Sequence, residues 1–287
     1  MAPRKLESIS LESNEDPATF ESKNVHQIYD AIATHFSSTR YKPWPIIATF
    51  LQNLPTGWVG FDSGTGNGKY LPLPADRPGA IWTIGMDRSR NLLEIARHAG
   101  GDDVVREVVW GNVLENAWRP GAFDYAISIA TIHHLATYER RKLAVQSEGV
   151  SHIDAFGQRL IQAVDPNHGR ILIYVWAIEQ DELSKRKVVD QDEAVVDEKG
   201  KDVMVPWVLS KNLAAKPSED SSPPEVFNRY YHMFAKGELG TLAKDAAVAL
   251  GLSVGDPSSE TVGQGVEVVQ DGWERSNYYV ELRRWTK

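Results

Sequence analysis

Apolar positions along this chain change period several times, and each change marks an element. From Asn24, NVHQIYDAIATHF places Val25, Ile28, Ile32 and Phe36 at helical spacing, with Asn24 as the expected N-cap. The prolines of RYKPWP end that helix, and IIATFLQNL reads as a second, short one. WVGFDSG and AIWTIGMD are strand-sized apolar runs. NLLEIARHA is helical after Ser89, VVREVVWGN is a third strand, and FDYAISIATIHHL is a buried strand leaving through a loop with two histidines. TYERRKLAVQSEGVSHIDAFGQRLIQAV is expected to be helical, and NHGRILIYVWA to be turn plus strand. Strands alternating with helices predict an α/β fold with a mostly parallel sheet.

The rhythm fails in two stretches of the chain. Residues 1–22 are polar and are expected to form a disordered tail, leaving 23–287 as one domain. The charged stretch 179–224 reads as an insertion, with one apolar patch, VMVPWVL, able to dock on the body. VFNRYYHMFAKGELGTLAKDAAVALGL is expected to be helical throughout, and WERSNYYVELRRW to be a final strand. There is no internal repeat.

Composition narrows the function classes. The 287 residues suit one large domain or two small ones, and 42% hydrophobic content supports a packed core. The formal charge of −8 disfavours a globally basic nucleic-acid binder, although a local basic face would suffice for phosphate contacts. The chain has no cysteine, so disulfides, cysteine zinc sites and a cysteine nucleophile are excluded. No metal site is expected. No signal peptide or membrane-length apolar run is visible, so a cytoplasmic or nuclear location is expected.

FDSGTGNGKYL carries the first chemistry. Gly64, Gly66 and Gly68 follow a strand, where glycines permit tight angles and close approach of a ligand. The spacing is neither that of a dinucleotide loop nor that of a P-loop. Asp62 would repel a pyrophosphate but suits an ammonium group. Asp87 ends the next strand, where a ribose diol is held. Asn112, ending the third strand, can meet an adenine edge. Ammonium, ribose and adenine together describe S-adenosylmethionine (AdoMet). The bland alternative is a strand–helix turn, with Asp87 capping the helix.

VHQIYDAIATHFSSTRYKPWP, FDSGTGNGKYL, IGMDRS, FDYAISIATIHHL and ILIYVWAIEQ together resemble the fungal and animal tRNA wobble-uridine carboxyl methyltransferases. VPWVL, FNRYYHMFAKGEL and WERSNYYV extend the resemblance to the end of the chain. The resemblance implies a Rossmann-like AdoMet-dependent methyltransferase with an antiparallel last strand. It implies methyl esterification of the carboxymethyl group on C5 of the wobble uridine, in the tRNA anticodon loop. It also implies a heterodimer with a small zinc-binding activator subunit, docked near the second and third strands. The expected cofactor set is Asp62, Gly64, Thr65, Gly66, Gly68, Asp87, Arg88, Asn112, Val113 and Ala130. Two positions depart from the family pattern: Thr65 stands where cysteine is common, and Asn112 where aspartate is common.

A carboxylate is already ionised at neutral pH, so its methylation needs no general base. It needs a cation, hydrogen-bond donors and a stacking aromatic that hold the oxygen in line with the methyl group. The candidates are Arg40, His133, His134, Trp176, Arg229 and Tyr230, with Trp207 and Asn277 resting on the resemblance alone. Each has a plain alternative: Arg40 as a surface arginine, the histidines as loop residues bonded to backbone, Trp176 as core, and Arg229 with the tyrosines as one face of a packed helix. Basic residues at 40–42, 140–142, 185–187 and 283–284 either ring the pocket mouth or lie on solvated faces. Two other functions stay open: methylation of a small-molecule carboxylate, and a non-catalytic scaffold that binds tRNA or AdoMet.

Overall fold

A computed structural model describes residues 4–9, 15–101, 104, 106–115, 117–146, 160–182, 184, 186–188, 200–209, 225–257 and 262–287. Strand β1 (Arg4–Ser8) is followed by a helical arm made of α1 (Pro17–Glu21), a π-helical turn (Ser22–His26) and α2 (Gln27–Thr39). Next come α3 (Pro45–Gln52), β2 (Val59–Ser63), β3 (Trp82–Asp87), α4 (Arg90–Ala96), β4 (Glu107–Trp110), β5 (Tyr125–Ile129), α5 (Tyr138–Val145), α6 (Leu160–Ala163) and β6 (Arg170–Trp176). The chain continues through β7 (Arg186–Val188), β8 (Lys201–Leu209), β9 (Glu225–Met233), α7 (Glu238–Ala249), β10 (Ser253–Val254), β11 (Gln264–Glu274) and β12 (Asn277–Thr286).

Strands β2 to β6 are parallel and form the centre of an eight-stranded sheet in the order β10-β11-β12-β6-β5-β2-β3-β4. β12 runs antiparallel to β6, as expected, and β11 antiparallel to β12. The sheet is covered on both faces, which is why its strands read as near-continuous apolar runs. In β6, Ile171, Ile173 and Val175 join the cluster that holds α7, while Leu172 and Tyr174 join the cluster under α3. Gly60 in β2 makes room for the Tyr125 ring, which would lie 2.1 Å from any Cβ placed there. Ser89 caps α4, accepting from the Leu92 N–H at 3.2 Å.

Four expectations are corrected. Part of the expected disordered tail is ordered: β1 pairs with β7 and β8, and α1 is capped by Asp16. Asn24 is no N-cap; it lies within the π turn and donates from Nδ2 to the Phe20 carbonyl. Residues 225–233 form a strand rather than a helix, because nine of them pair antiparallel with β8. β7, β1, β8 and β9 thus make a second sheet beside the first, so the apolar patch of the 179–224 segment docks as a strand. The expected single last strand is a hairpin, β11–β12, with WERSN at its turn. The helix expected across 147–159, and residues 189–199 and 210–224, lie outside the described residues.

One buried ion pair ties the arm to the body. The Glu21 side chain is almost fully buried and takes two bonds from Arg140, Nε to Oε1 at 2.7 Å and Nη2 to Oε2 at 2.6 Å. The Ala136 N–H donates to the same carboxylate at 2.8 Å. Removing one member of such a pair leaves an uncompensated buried charge. Arg140→Ala is therefore expected to lower stability by about 3 kcal/mol in urea unfolding. It should also increase protease sensitivity in the 17–39 arm first.

Candidate active site

A cleft spanning about 1170 Å³, the solvent at its open mouth included, lies at the carboxyl ends of β2 to β6. It lies where strand order reverses: β3 and β4 extend one way from β2, and β5 and β6 the other. In open α/β sheets that divergence leaves the crevice where ligands bind. The helical arm covers it, and β9 closes its far side.

The glycine loop forms the floor. Gly64 has φ +84°, and the Thr131 side chain occupies the space its Cβ would need. Gly66 has φ +58° and open space at its missing side chain. The Gly66 N–H donates to Asp87 Oδ2 at 2.8 Å and the Ser89 N–H to Asp87 Oδ1 at 2.9 Å. Both Asp87 oxygens are thus held by backbone, one at the glycine loop and one at the start of α4. Asp62 sits beneath it, 1% exposed. Its Oδ2 accepts from Thr65 Oγ1 at 2.8 Å, while its Oδ1 is buried and takes no hydrogen bond among the described residues. Thr65 therefore contributes a hydroxyl anchor for the acid, which the family's cysteine would make only weakly.

Of the expected cofactor set, Gly64, Thr65, Gly66, Asp87, Arg88, Asn112, Val113 and Ala130 line the cleft. Ala130 adopts φ +55°, a left-handed conformation that turns the chain along the cleft wall. Asn112 accepts from the Leu114 N–H through Oδ1 at 3.1 Å, so its amide N–H₂ is the group turned to other work. Asp62 and Gly68 do not line the cleft. Gly68 is a packing position: a Cβ there would lie 2.8 Å from the Ala96 backbone. The cleft fits AdoMet on three counts: an orphaned acidic oxygen near the loop, a loop without side chains, and a second acid at the ribose position.

The opposite wall gathers Arg40, His133, His134, Trp176 and Arg229. Tyr230 does not join them. Along a strand, neighbouring side chains point to opposite faces. Arg229 and Tyr231 therefore face the cleft, while Tyr230 packs edge-on against Phe20 and donates its hydroxyl to Asp202 Oδ1 at 2.7 Å. Tyr231 takes the place expected for Tyr230 and stacks on Trp176, with centroids 4.0 Å apart and planes at 13°. Arg229 Nη1 donates to the Tyr29 hydroxyl at 3.0 Å, which shares a hydrogen bond with the Tyr231 hydroxyl at 2.7 Å. Trp207 stands behind this wall, 4.6 Å from the Arg229 guanidinium and 5.4 Å from that of Arg40. Asn277 is buried in the β11–β12 turn and bonds to its backbone.

The two histidines carry their protons on opposite nitrogens. His133 Nδ1 accepts from the Trp176 N–H at 3.2 Å, so in the neutral ring Nε2 holds the hydrogen. His134 Nδ1 lies 2.8 Å from the Tyr230 carbonyl, which can only accept, so here Nδ1 holds the hydrogen. Burial pushes His134 down to about 3, helped by the Arg229 charge and opposed by the carbonyl bond. Burial likewise pushes His26 down to about 4.

Tyr29, Trp44 and Lys69 also line the cleft and were not among the expected residues. Tyr29 shares the helical face of Val25 and Phe36, so its spacing was a usable signal. Lys69 directly follows the third glycine, 4.3 Å from the centre of the Trp44 ring. Burial and the Arg40 charge lower its pKa to about 8, against the pull of Asp62. Several basic residues expected near the mouth are engaged internally: Arg140 with Glu21, Arg283 with Glu267, and Arg141 and Arg284 buried on backbone carbonyls.

Burial, with a smaller contribution from Asp87 and against the Thr65 bond, pushes Asp62 from 3.8 up to about 7. The folded state thus holds this proton more tightly than the unfolded chain. The corresponding stability is full below about pH 4 and is lost as pH rises through about 7. Asp62→Asn keeps an acceptor for Thr65 and has nothing to ionise. Its melting temperature relative to the parent protein is expected to climb between pH 4 and pH 7, read by thermal scans across that range.

The family described as a methyltransferase domain matches residues 61–147, from the glycine loop through α5. A tRNA (carboxymethyluridine(34)-5-O)-methyltransferase of Schizosaccharomyces pombe is 35% identical over 268 residues, covering 91% of this chain and 96% of that protein. The mouse tRNA (carboxymethyluridine(34)-5-O)-methyltransferase is 32% identical, and the match covers 98% of this chain but 47% of that longer protein. Among solved structures, a Burkholderia thailandensis 1,6-didemethyltoxoflavin N1-methyltransferase with bound S-adenosylhomocysteine covers the whole chain at TM-score 0.55 and 13% identity, a likeness of fold. Matched along nearly the full length of the fission-yeast protein, and built on an AdoMet-type cleft, the chain belongs to the tRNA (carboxymethyluridine(34)-5-O)-methyltransferase family.

Proposed function

We propose that this chain methyl-esterifies the carboxymethyl group on C5 of the tRNA wobble uridine, giving 5-methoxycarbonylmethyluridine. The observation that carries the reading is a cleft rich in donors and poor in bases. Arg40, Lys69 and Arg229 bring positive charge, while His134 and His26 are held neutral as weak bases. Such a wall suits an acceptor that arrives already ionised. AdoMet supplies a methyl group on a sulfonium, so transfer to a carboxylate oxygen forms a C–O bond, breaks a C–S bond and moves no proton.

The residues then divide the work. Asp87 and Asn112 hold the ribose and adenine ends over the bare backbone of Gly64 and Gly66, while Asp62, buried beneath the loop, braces it through Thr65. Arg40, exposed at the end of α2, clamps the carboxylate or a flanking phosphate in two-point fashion. Trp176, backed by Tyr231, offers a face to an unstacked base. The aromatic lining lowers the local dielectric, which favours a step in which a negative and a positive charge disappear together.

A small zinc-binding activator subunit is the proposed partner. β4 is the edge strand of the large sheet, and Trp110 on it is 58% exposed. Trp82 on β3 is also exposed, so this edge has the unpaired backbone and apolar surface a partner would cover. Methylation of a small-molecule carboxylate is less well supported, because Trp176 and Tyr231 form a base-sized aromatic platform.

The test is methyl transfer from labelled AdoMet to tRNA from cells lacking this enzyme, with and without the activator. The expected product is an alkali-labile methyl ester on the carboxymethyluridine at position 34; no transfer despite AdoMet binding would overturn the reading. Arg40→Ala is expected to lower kcat/KM for tRNA by about 30-fold with AdoMet affinity within about twofold, and Arg40→Lys to recover little of it.

A further inference from the structure

We infer that His134 reads the target base, its Nε2 accepting a hydrogen bond from N3–H of the wobble uracil. The inference rests on the function proposed above and assigns one of the paired histidines a separate task.

Three observations lead to it. First, the proton position is dictated by a backbone partner. The Tyr230 carbonyl takes the Nδ1 hydrogen of His134 at 2.8 Å, leaving Nε2 as a lone pair. Second, the ring is held in place. Tyr29 meets it edge-on at 5.1 Å and 70°, and Tyr231 lies 4.4 Å away. Third, the ring lines the cleft among groups of the opposite kind. The neighbouring His133 ring, 4.5 Å away and at 89°, carries its hydrogen on Nε2, and the Arg229 guanidinium stands on the same wall.

The substrate's chemistry matches this asymmetry. A carboxylate, uracil O2 and uracil O4 all require donors. On the base, N3–H is the polar group that donates, so an acceptor fixed in the wall is matched by uracil N3–H. Cytosine presents a lone pair at N3, which would face the lone pair of His134. The ring cannot adapt by taking a proton, since burial and the Arg229 charge keep it neutral. A polar site of this kind rejects an analogue that lacks the matching hydrogen. The nearest competing donor is the ribose 2′-hydroxyl, and the experiment separates the two.

The full chain, co-expressed with the activator subunit, would be assayed on three anticodon stem-loops. They carry 5-carboxymethyluridine, 5-carboxymethylcytidine or 5-carboxymethyl-2′-deoxyuridine at position 34. For the parent protein, kcat/KM on the cytidine loop is expected at least about 30-fold below the uridine loop, with the deoxy loop within about threefold. In His134→Phe, which keeps a ring without the lone pair, the uridine-to-cytidine ratio should collapse to about threefold or less. His134→Gln, which returns an acceptor oxygen near the Nε2 position, should keep most of the preference. Affinity for AdoMet should change in neither variant.

Equal rates on uridine and cytidine in the parent protein would overturn the inference. So would a preference that survives in folded His134→Phe, or a loss confined to the deoxy loop. If His134→Phe fails to fold, the parent ratio and His134→Gln still decide. Imidazole ¹⁵N shifts give an independent check: a protonated Nδ1 and bare Nε2 on His134 are expected, and the reverse tautomer refutes the inference. Absence of transfer to all three loops, with AdoMet bound, would remove the proposed function and this inference together. Transfer to uridine and cytidine alike would remove the inference alone.

Discussion

The reversal of strand order between β2 and β5 is the constraint on which the rest depends. Two parallel strands lie side by side, but their continuations travel to opposite edges of the sheet. No crossover covers the carboxyl ends at that point, so a crevice is left open. The glycine loop after β2, Asp87 at the end of β3 and the histidine pair after β5 share the crevice for that reason. Their separations along the chain, from residue 64 to residue 134, have no bearing on the meeting. The close fit of Gly60 against Tyr125 lets these two central strands approach without distortion.

The second sheet turns an open crevice into a walled cleft. β9 crosses beside the end of β6 and presents Arg229 and Tyr231 to the site. The arm supplies Tyr29 from the other direction, and the three meet through hydrogen bonds among Arg229, Tyr29 and Tyr231. The arm stays down because Glu21 is buried against Arg140, an attachment remote from the chemistry. A π-helical turn at 22–26 shifts the helix register where Val25 and His26 enter the cleft. Such turns recur at functional sites because the extra residue re-aims a helix face.

Charge follows the same division between framework and site. The chain is acidic, and several of its arginines serve internal pairs and carbonyls. Arg40 and Lys69 stay with the cleft, one at the exposed end of α2 and one over aromatic faces. Asp62 is buried beneath the glycine loop, Asp87 lines the cleft with both oxygens held by backbone N–H groups, and desolvation raises both. A protein with net negative charge can therefore present a positive wall to an anionic substrate, because Arg40, Lys69 and Arg229 line the cleft while Asp62 is buried beneath its floor.

The parallel core, the glycine loop, Asp87 at the end of β3 and the antiparallel return strand were all legible in the sequence. Each is a local matter of apolar period or turn geometry. The resemblance to the wobble-uridine methyltransferases rested on short stretches, and the fission-yeast relative matches 91% of the chain. What local pattern could not settle was the state of VFNRYYHM, which carries apolar and aromatic residues at spacings compatible with a helix or a strand. Pairing with β8, a partner from the preceding insertion, decided for strand, and period two then exchanged Tyr230 for Tyr231 in the cleft. Tertiary structure alone also settled that Arg140 is internal and that His133 and His134 hold opposite tautomers. Those outcomes depend on backbone groups and carboxylates distant in sequence. The sequence by itself determined the elements and the chemistry available; folding decided which faces meet, because burial and hydrogen-bond partners are properties of position in space.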